Sequence, residues 1–226
     1  MRIGILGTGI VGQTLAEALD IGGHEVVVGT RDPAVTLAKT EPDMYGRPAF
    51  RVWQEAHPDV GLGAFSEAAA HGEFLINATN GAASLDALRA AGEENLAGKV
   101  LLDTANPLDF SKGMPPSLFV CNTDSLAERI QAEFPGARVV KSLNTMTASV
   151  MVDPRGLGDG DHTVFVSGND AEARGSVKEL LRELGWTDIL DLGDVSTARG
   201  AEMVLPIWVS IMGALGSPRS NIKIVR

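Results

Sequence analysis

The sequence predicts an α/β fold with a doubly wound, mostly parallel sheet, and three observations support this. Short apolar segments rich in β-branched residues alternate with helix-length segments along most of the 226 residues. The first apolar segment, residues 3–6, runs into a glycine-rich turn and then a helical pattern. The composition, 44% hydrophobic and 21% charged, is typical of a globular protein with enough apolar side chains for a core.

Hydrophobic patterns and turn residues place the elements in order. Strands are predicted at residues 3–6, 25–29, 74–79, 100–103, 138–143, 163–167 and 188–192. Helices are predicted at residues 10–21, 85–91, 126–134 and 169–185, with Ser125 and Glu128 as a capping box for the third. A long apolar helix should follow Ser196, with a kink at Pro206. We expect a nucleotide-binding domain over residues 1–150 and a small C-terminal helical lobe over residues 151–226, which together could count as one domain.

Charge and composition argue against several classes of protein. A net charge of −10 without any basic cluster disfavours a nucleic-acid partner. Cys121 is the single cysteine, and the four histidines share no metal-ligand spacing, so we predict neither a disulfide nor a metal site. The longest apolar run, residues 203–215, is shorter than the roughly 20 residues of a membrane span. Since the chain enters its first strand directly, we expect a cytoplasmic protein without a membrane partner.

The segment Gly7-Thr8-Gly9-Ile10-Val11-Gly12 follows the first strand and opens the first helix, which is the context of a Rossmann dinucleotide site. Gly7 suits the tight turn, Gly9 lets the backbone approach a pyrophosphate, and Gly12 lets the helix pack on the strand. The helix start offers N–H groups to the phosphates. The alternative is a glycine-rich turn that has lost its ligand.

The end of the second strand favours NADP(H) as the dinucleotide. NAD sites usually carry an Asp or Glu there, whereas this chain has Thr30 and Arg31, which suit a 2′-phosphate. Lys39 is a further candidate for positive charge. Asp32 could hold a ribose or cap the next helix, and Pro33 behind it favours the cap.

Residues 40–63 interrupt the alternation of strands and helices. The segment contains several turn-forming and aromatic residues, namely Pro42, Tyr45, Gly46, Pro48, Trp53, His57 and Pro58. We interpret it as a surface excursion between the second and third strands, and the alternative is a flap over the adenosine end of a nucleotide.

Several motifs in a fixed order resemble a known family. Besides the segments at 3–9 and 28–31, they are LDTANP at 102–107, VKSLNT at 140–145, VSGND at 166–170, DLG with STAR in 191–199, and NIKI at 221–224. Over nearly the whole chain they resemble the NADPH-dependent coenzyme F420 reductases and, more distantly, the reductase domain of the STEAP metalloreductases. The resemblance implies hydride transfer between NADPH and a deazaflavin such as F420, with the C-terminal lobe closing the acceptor pocket.

The resemblance also implies site residues at matching positions. Cofactor contacts are expected at Ala78, Thr79, Asn80, Ala105, Asn106, Pro107 and Asn144, and Met146 is expected near the acceptor. For Asn144, a functional role and loop capping are equally favoured. The chain departs from archaeal F420 reductases at residues 40–63 and at Asn144, where those enzymes align a His. Both departures concern the acceptor more than the cofactor.

We predict no catalytic side chain, because hydride transfer requires two rings held together in a dry pocket. Trp208 and Met146 are candidates for the apolar wall of that pocket. Arg199 could bind an acidic acceptor tail or pair with Glu202 one turn along its helix. The alternatives are a reductase of a flavin or another small molecule and an NADP-binding redox sensor without turnover. The apolar last helix favours a homodimer.

Overall fold

The structure, a computed structural model, describes residues 1–42 and 46–226, so Tyr45 lies outside the described residues. The strands are β1 (Arg2–Leu6), β2 (Glu25–Thr30), β3 (Gly61–Ala64), β4 (Phe74–Asn77), β5 (Val100–Asp103), β6 (Leu108–Asp109), β7 (Ser117–Leu118), β8 (Arg138–Ser142), β9 (Thr163–Ser167) and β10 (Asp188–Gly193). The helices are α1 (Ile10–Ile21), α2 (Pro33–Ala38), α3 (Phe50–Ala56), α4 (Phe65–His71), α5 (Ser84–Ala91), α6 (Glu93–Leu96), α7 (Leu126–Glu133), α8 (Ala148–Val152), α9 (Ala171–Glu183), α10 (Ala198–Met203) and α11 (Leu205–Leu215).

Six parallel strands form the main part of one sheet, in the order β3-β2-β1-β4-β5-β8. Counted along the chain, this is the 3-2-1-4-5-6 order of a Rossmann domain, so the predicted fold is confirmed. The strands are apolar because helices cover both faces of the sheet. All four residues of β4 and all four of β5 are buried.

The sheet continues past β8 with two strands that run in the opposite direction. β9 pairs antiparallel with β8 through Lys141 and Ser167, and β10 lies parallel to β9. The sequence predicted both strands, whereas their direction differs from that of the first six. Because β9 and β10 belong to the same sheet, the two-domain division at residue 150 stays a prediction.

Two apolar clusters pack against the faces of the sheet. On one face, α1, α8 and α9 contribute Leu15, Val150 and Val177, together with Trp186. On the other face, α4, α5 and α7 contribute side chains such as Leu88. Open α/β sheets bind their ligands at the carboxyl ends of the parallel strands.

The predicted long C-terminal helix is divided into α10 and α11. The break lies at Val204, and Pro206 sits in the first turn of α11, where its missing N–H is tolerated. Within the described residues, Val195–Leu215 is the one stretch with the length and composition of a membrane span, at a mean hydropathy of 1.2. The break at Val204 separates this stretch into two shorter helices.

Candidate functional site

The glycine-rich loop brings the end of β1 against the start of α1. Gly7 has a φ of +122°, and a Cβ at Gly12 would lie 2.0 Å from the Gly7 carbonyl oxygen. Both positions therefore require glycine. Gly9 differs, because a Cβ built there would meet no atom within 4 Å. No side chain caps α1, so its first N–H groups remain available to a ligand in that space.

A cavity of about 1210 Å³ opens in front of this loop, at the carboxyl ends of β1, β2 and β4. Cavities that hold drug-sized ligands measure about 300–1,000 Å³, so this one has room for a larger molecule. Its lining includes most of the predicted cofactor residues, namely Gly7, Thr8, Gly9, Ile10, Thr30, Arg31, Ala78, Thr79 and Asn80. The open space at Gly9 and the uncapped helix start fit the pyrophosphate of a dinucleotide.

The end of β2 supplies the polar side of the cavity. The hydroxyl of Thr30 is hydrogen-bonded to that of Thr36 on α2 at 2.8 Å. Arg31 is exposed and makes no hydrogen bond or ion pair within the described residues. Asp32 accepts a hydrogen bond from the Val35 amide at 3.0 Å, so the predicted helix cap is confirmed. A cationic side chain next to paired hydroxyls suits a phosphate better than a ribose hydroxyl.

The segment 40–63 forms part of the wall of this cavity. Residues 40–42 and 47–50 line it, next to Arg31 and Lys39. This position beside the cavity is the one expected for a flap, which Sequence analysis gave as the alternative to a surface excursion. Small side chains of α5 and the residue before it, Ala83, Ala87 and Ala90, line the cavity elsewhere. An aromatic ring such as adenine requires such unobstructed space.

The loops after β5 and β8 are tied to each other. Asn106 Nδ2 donates to the Asn144 carbonyl at 2.8 Å, and Asn144 Nδ2 donates to Asn106 Oδ1 at 2.9 Å and to the Ala201 carbonyl at 3.1 Å. Asn144 is buried, and its amide connects both loops to α10. The contacts predicted for Ala105, Asn106, Pro107 and Asn144 lie outside the cavity lining and stay predictions.

A buried charged cluster, formed by Lys141, Asp103 and Glu202, lies beneath these loops. Lys141 Nζ is 2.6 Å from Asp103 Oδ2 and 2.8 Å from Glu202 Oε1, and it donates to the Ala105 carbonyl at 2.7 Å. All three side chains are essentially inaccessible to water. The cluster joins β5, β8 and α10, and it fixes the loop that carries Ala105.

The two carboxylates of this charged cluster favour the charged form of Lys141. Burial opposes the charge on Lys141, but Asp103 and Glu202 together outweigh it, so the pKa of Lys141 is raised above its ordinary value. Glu202 also accepts from the amides of Leu126 and Ala127 at 2.8 and 3.1 Å, at the start of α7. The α7 N-terminus thereby stabilises the second carboxylate.

The predicted acceptor residues occupy three different environments. Met146 is buried, and Trp208 donates its indole N–H to the Ser220 carbonyl at 3.1 Å. Arg199 pairs with Glu128 on α7 at 2.9 and 2.5 Å. Of the two alternatives for Arg199, the pairing with Glu202 is therefore wrong, because Glu202 turns inward to Lys141. Acceptor contacts of the three residues stay predictions.

Comparison with known proteins assigns the chain to a family. The crystal structure of a protein from Arthrobacter sp. FB24, assigned as an F420-dependent NADP-reductase, is 59% identical and matches over 100% of both chains with a TM-score of 0.97. The chain belongs to the F420-dependent NADP reductase family. The family model for coenzyme F420-dependent NADP oxidoreductases matches residues 2–107.

More distant relatives extend the family match along the chain. The F420-dependent NADP reductase of Methanothermobacter marburgensis is 28% identical over 217 residues, covering 93% of this chain and 92% of the relative. Metalloreductase STEAP3 of Rattus norvegicus is 30% identical over 221 residues, which are 95% of this chain and 39% of STEAP3. The chain therefore spans about two fifths of the length of STEAP3. The family model ends at Pro107, so it includes the cavity and excludes Asn144, Met146, Arg199 and Trp208.

Sequence analysis missed the charged cluster, although a signal for it exists. Asp103 and Lys141 each follow apolar residues within a buried strand, and charged side chains are rarely buried without a partner. Two opposite charges at the ends of neighbouring strands are therefore a candidate pair. Glu202 lies 61 positions beyond Lys141 in the chain, and local patterns give no indication of its place.

The charged cluster predicts a large loss of stability for Lys141→Met. The change leaves Asp103 and Glu202 buried without their cation, which costs about 3–5 kcal/mol of unfolding free energy. Urea unfolding measures it. Lys178→Met is the control, because Lys178 pairs with Asp191 in a partly exposed ion pair and should cost less than about 1 kcal/mol. Equal losses in the two variants would contradict a stabilising role for the charged cluster.

Proposed function

We propose that the protein is an NADP(H)-dependent oxidoreductase that transfers a hydride between NADPH and a deazaflavin acceptor of the F420 type. The observation that carries this proposal is the open space at Gly9 before an uncapped helix, in one cavity with Thr30 and Arg31. Membership of the F420-dependent NADP reductase family supports the choice of acceptor.

Each part of the cavity has a role in holding NADP(H). Backbone N–H groups at the start of α1 bind the pyrophosphate, and Arg31 with Thr30 binds the 2′-phosphate. The loop formed by Ala78, Thr79 and Asn80 borders the cofactor on the β4 side. NADPH, when bound, supplies the hydride. The protein supplies position and a site from which water is excluded.

The nicotinamide end is assigned to the loops after β5 and β8. The charged cluster holds the backbone at Ala105, and the Asn106–Asn144 pair holds both loops against α10. Such a rigid edge can keep two rings in a near-attack arrangement without a nucleophile or a general base. The side chains of these loops therefore position the reactants and do not react themselves.

Stopped-flow absorbance tests the proposed reaction. The protein is mixed with NADPH and oxidised F420, with FMN and FAD as parallel acceptors. We expect rapid loss of the F420 absorbance with NADPH consumed in equal amount, and little reaction with the flavins. Reduction of FMN or FAD alone would identify a flavin reductase. Tight NADPH binding without reduction of any acceptor would favour a redox sensor.

The glycine loop gives a second prediction, which concerns the cofactor alone. Gly9→Ala places a methyl group in the open space, so we expect a dinucleotide affinity about 5- to 100-fold weaker, from about 1–3 kcal/mol of overpacking. Its thermal stability should be unchanged, since the Cβ meets no protein atom. Gly12→Ala is the matched control, because its Cβ would collide with the Gly7 carbonyl and lower the stability itself. Unchanged NADPH affinity in Gly9→Ala, measured by fluorescence titration, would contradict this placement of the pyrophosphate.

We also propose that the protein is a cytoplasmic homodimer that pairs through α10 and α11. Met203, Ile207 and Leu215 are exposed, at 38%, 55% and 63%, and lie close to one stripe of these two helices. An exposed apolar stripe of this kind is typical of a subunit interface.

Light scattering tests the dimer. We expect twice the chain mass for the native protein and a shift towards one chain mass for Ile207→Glu, because the change buries a charge in the interface. Ile21→Glu is the control, since Ile21 is 79% exposed at the end of α1, outside α10 and α11. A native mass equal to one chain would refute the dimer.

A further inference from the structure

We propose that Lys39 and Arg47 complete the binding site for the 2′-phosphate of NADP(H), so that these two side chains add to the preference for NADP(H) over NAD(H). The ligand class is a nucleotide with a phosphomonoester on the adenosine ribose. The inference rests on the proposed function and deepens it. It adds two cations to Arg31 and gives the segment a specific role.

The first observation is that one cavity contains all three cationic side chains. Arg31 follows β2, Lys39 follows α2, and Arg47 precedes α3, and each of them lines the cavity. Lys39, like Arg31, is exposed and makes no hydrogen bond or ion pair within the described residues. The three cations therefore approach the same space from three different elements.

The second observation is that the segment is anchored to the body of the protein. Phe50, directly after the cavity-lining residues 47–49, is buried in the main core, and its ring lies 5.2 Å from that of Trp53. Trp53 stacks on His57 at 4.5 Å, and His57 Nε2 lies 3.5 Å from the Glu17 carboxylate on α1. These contacts hold α3 against α1, the helix that begins at the pyrophosphate site. Arg47 thus lies three residues before the anchored Phe50.

The third observation concerns the acidic side chains that share the cavity. Asp32, Glu41 and Asp86 also line it. Asp32 caps α2, and Asp86 lies 2.6 Å from Arg89, so both have local partners. Arg31 and Lys39 have no ionic partner within the described residues, and Glu41 is the remaining carboxylate of this lining. A 2′-phosphate carries a charge of −1.5 to −2 at neutral pH and benefits from several cations, whereas a ribose hydroxyl does not.

Selectivity follows from this arrangement. A single exposed arginine contributes modestly, because water and salt screen its charge. Three cations around one phosphate produce a stronger local field in a protein whose net charge is −10. Removal of Lys39 or Arg47 should therefore weaken binding of 2′-phosphorylated nucleotides and leave the others unchanged.

Calorimetric titration with nucleotide fragments tests the inference without hydride transfer. The probes are 2′,5′-ADP and 5′-AMP, followed by NADP⁺ and NAD⁺, and the variants are Lys39→Met, Arg47→Met and Arg31→Ala. We expect each variant to bind 2′,5′-ADP about 10- to 150-fold more weakly, the range for a charged hydrogen bond. Binding of 5′-AMP and NAD⁺ should change less than about twofold, because neither probe carries the 2′-phosphate whose contact is lost.

Arg51→Met is the matched control. Arg51 lies in the same segment, pairs with Glu55 at 3.5 Å, and is not among the residues that line the cavity. We expect its affinities for all four probes to equal those of the native protein. Lys39→Arg should restore most of the affinity lost in Lys39→Met, because it keeps the charge.

The possible outcomes separate this inference from the proposed function. Native affinity of Lys39→Met and Arg47→Met for 2′,5′-ADP, with a loss in Arg31→Ala alone, would overturn the inference and leave the NADP(H) site intact. Equal losses for 2′,5′-ADP and 5′-AMP would also overturn it, since they would indicate a damaged cavity. If the native protein does not prefer 2′,5′-ADP to 5′-AMP, both the inference and the NADP(H) assignment fail.

Discussion

The ammonium group of Lys141 is fully buried, and its ion pairs join β5, β8 and α10 at one end of the molecule. A charge without water is stable only when paired and hydrogen-bonded, so Asp103 on β5 and Glu202 on α10 must stay within reach of it. Ala201, next to Glu202, accepts from Asn144, so the position of α10 also fixes the loop after β8. The arrangement of the C-terminal helices over the strand ends thus follows from electrostatics as well as from apolar packing.

The opposite side of the strand edge depends on backbone contact. Gly7 and Gly12 approach so closely that no side chain fits between them, which fixes the start of α1 relative to β1. The backbone contact at Gly7 and Gly12 and the buried charged cluster suit different tasks. Backbone N–H groups at the start of α1 offer phosphate oxygens donors at a fixed place. The loops after β5 and β8 are held by paired, hydrogen-bonded side chains, and such a satisfied buried network is rigid.

Local patterns were sufficient for much of the fold and for the glycine-rich turn after β1. The seven predicted strands and the glycine loop were correct, because burial on both faces and the turn chemistry leave signals within a few residues. β3 was missed because its sequence, GLGA, has no β-branched residue. The antiparallel direction of β9 and the pairing of Arg199 with Glu128 depend on contacts between distant segments. Several carboxylates in a sequence could pair with one arginine, and the fold determines which of them lies close enough to do so.

The charge of the protein restricts where an anionic cofactor can bind. With a net charge of −10, the long-range field repels NADP(H), so attraction must arise within about one Debye length, about 8 Å at physiological salt. The cavity meets this requirement with the α1 N-terminus at one point and cationic side chains at another. Asp32 and Asp86, which also line it, are bound to a helix start and to Arg89. Asp86 is therefore compensated by its ion pair with Arg89, and Asp32 by the positive end of the α2 dipole.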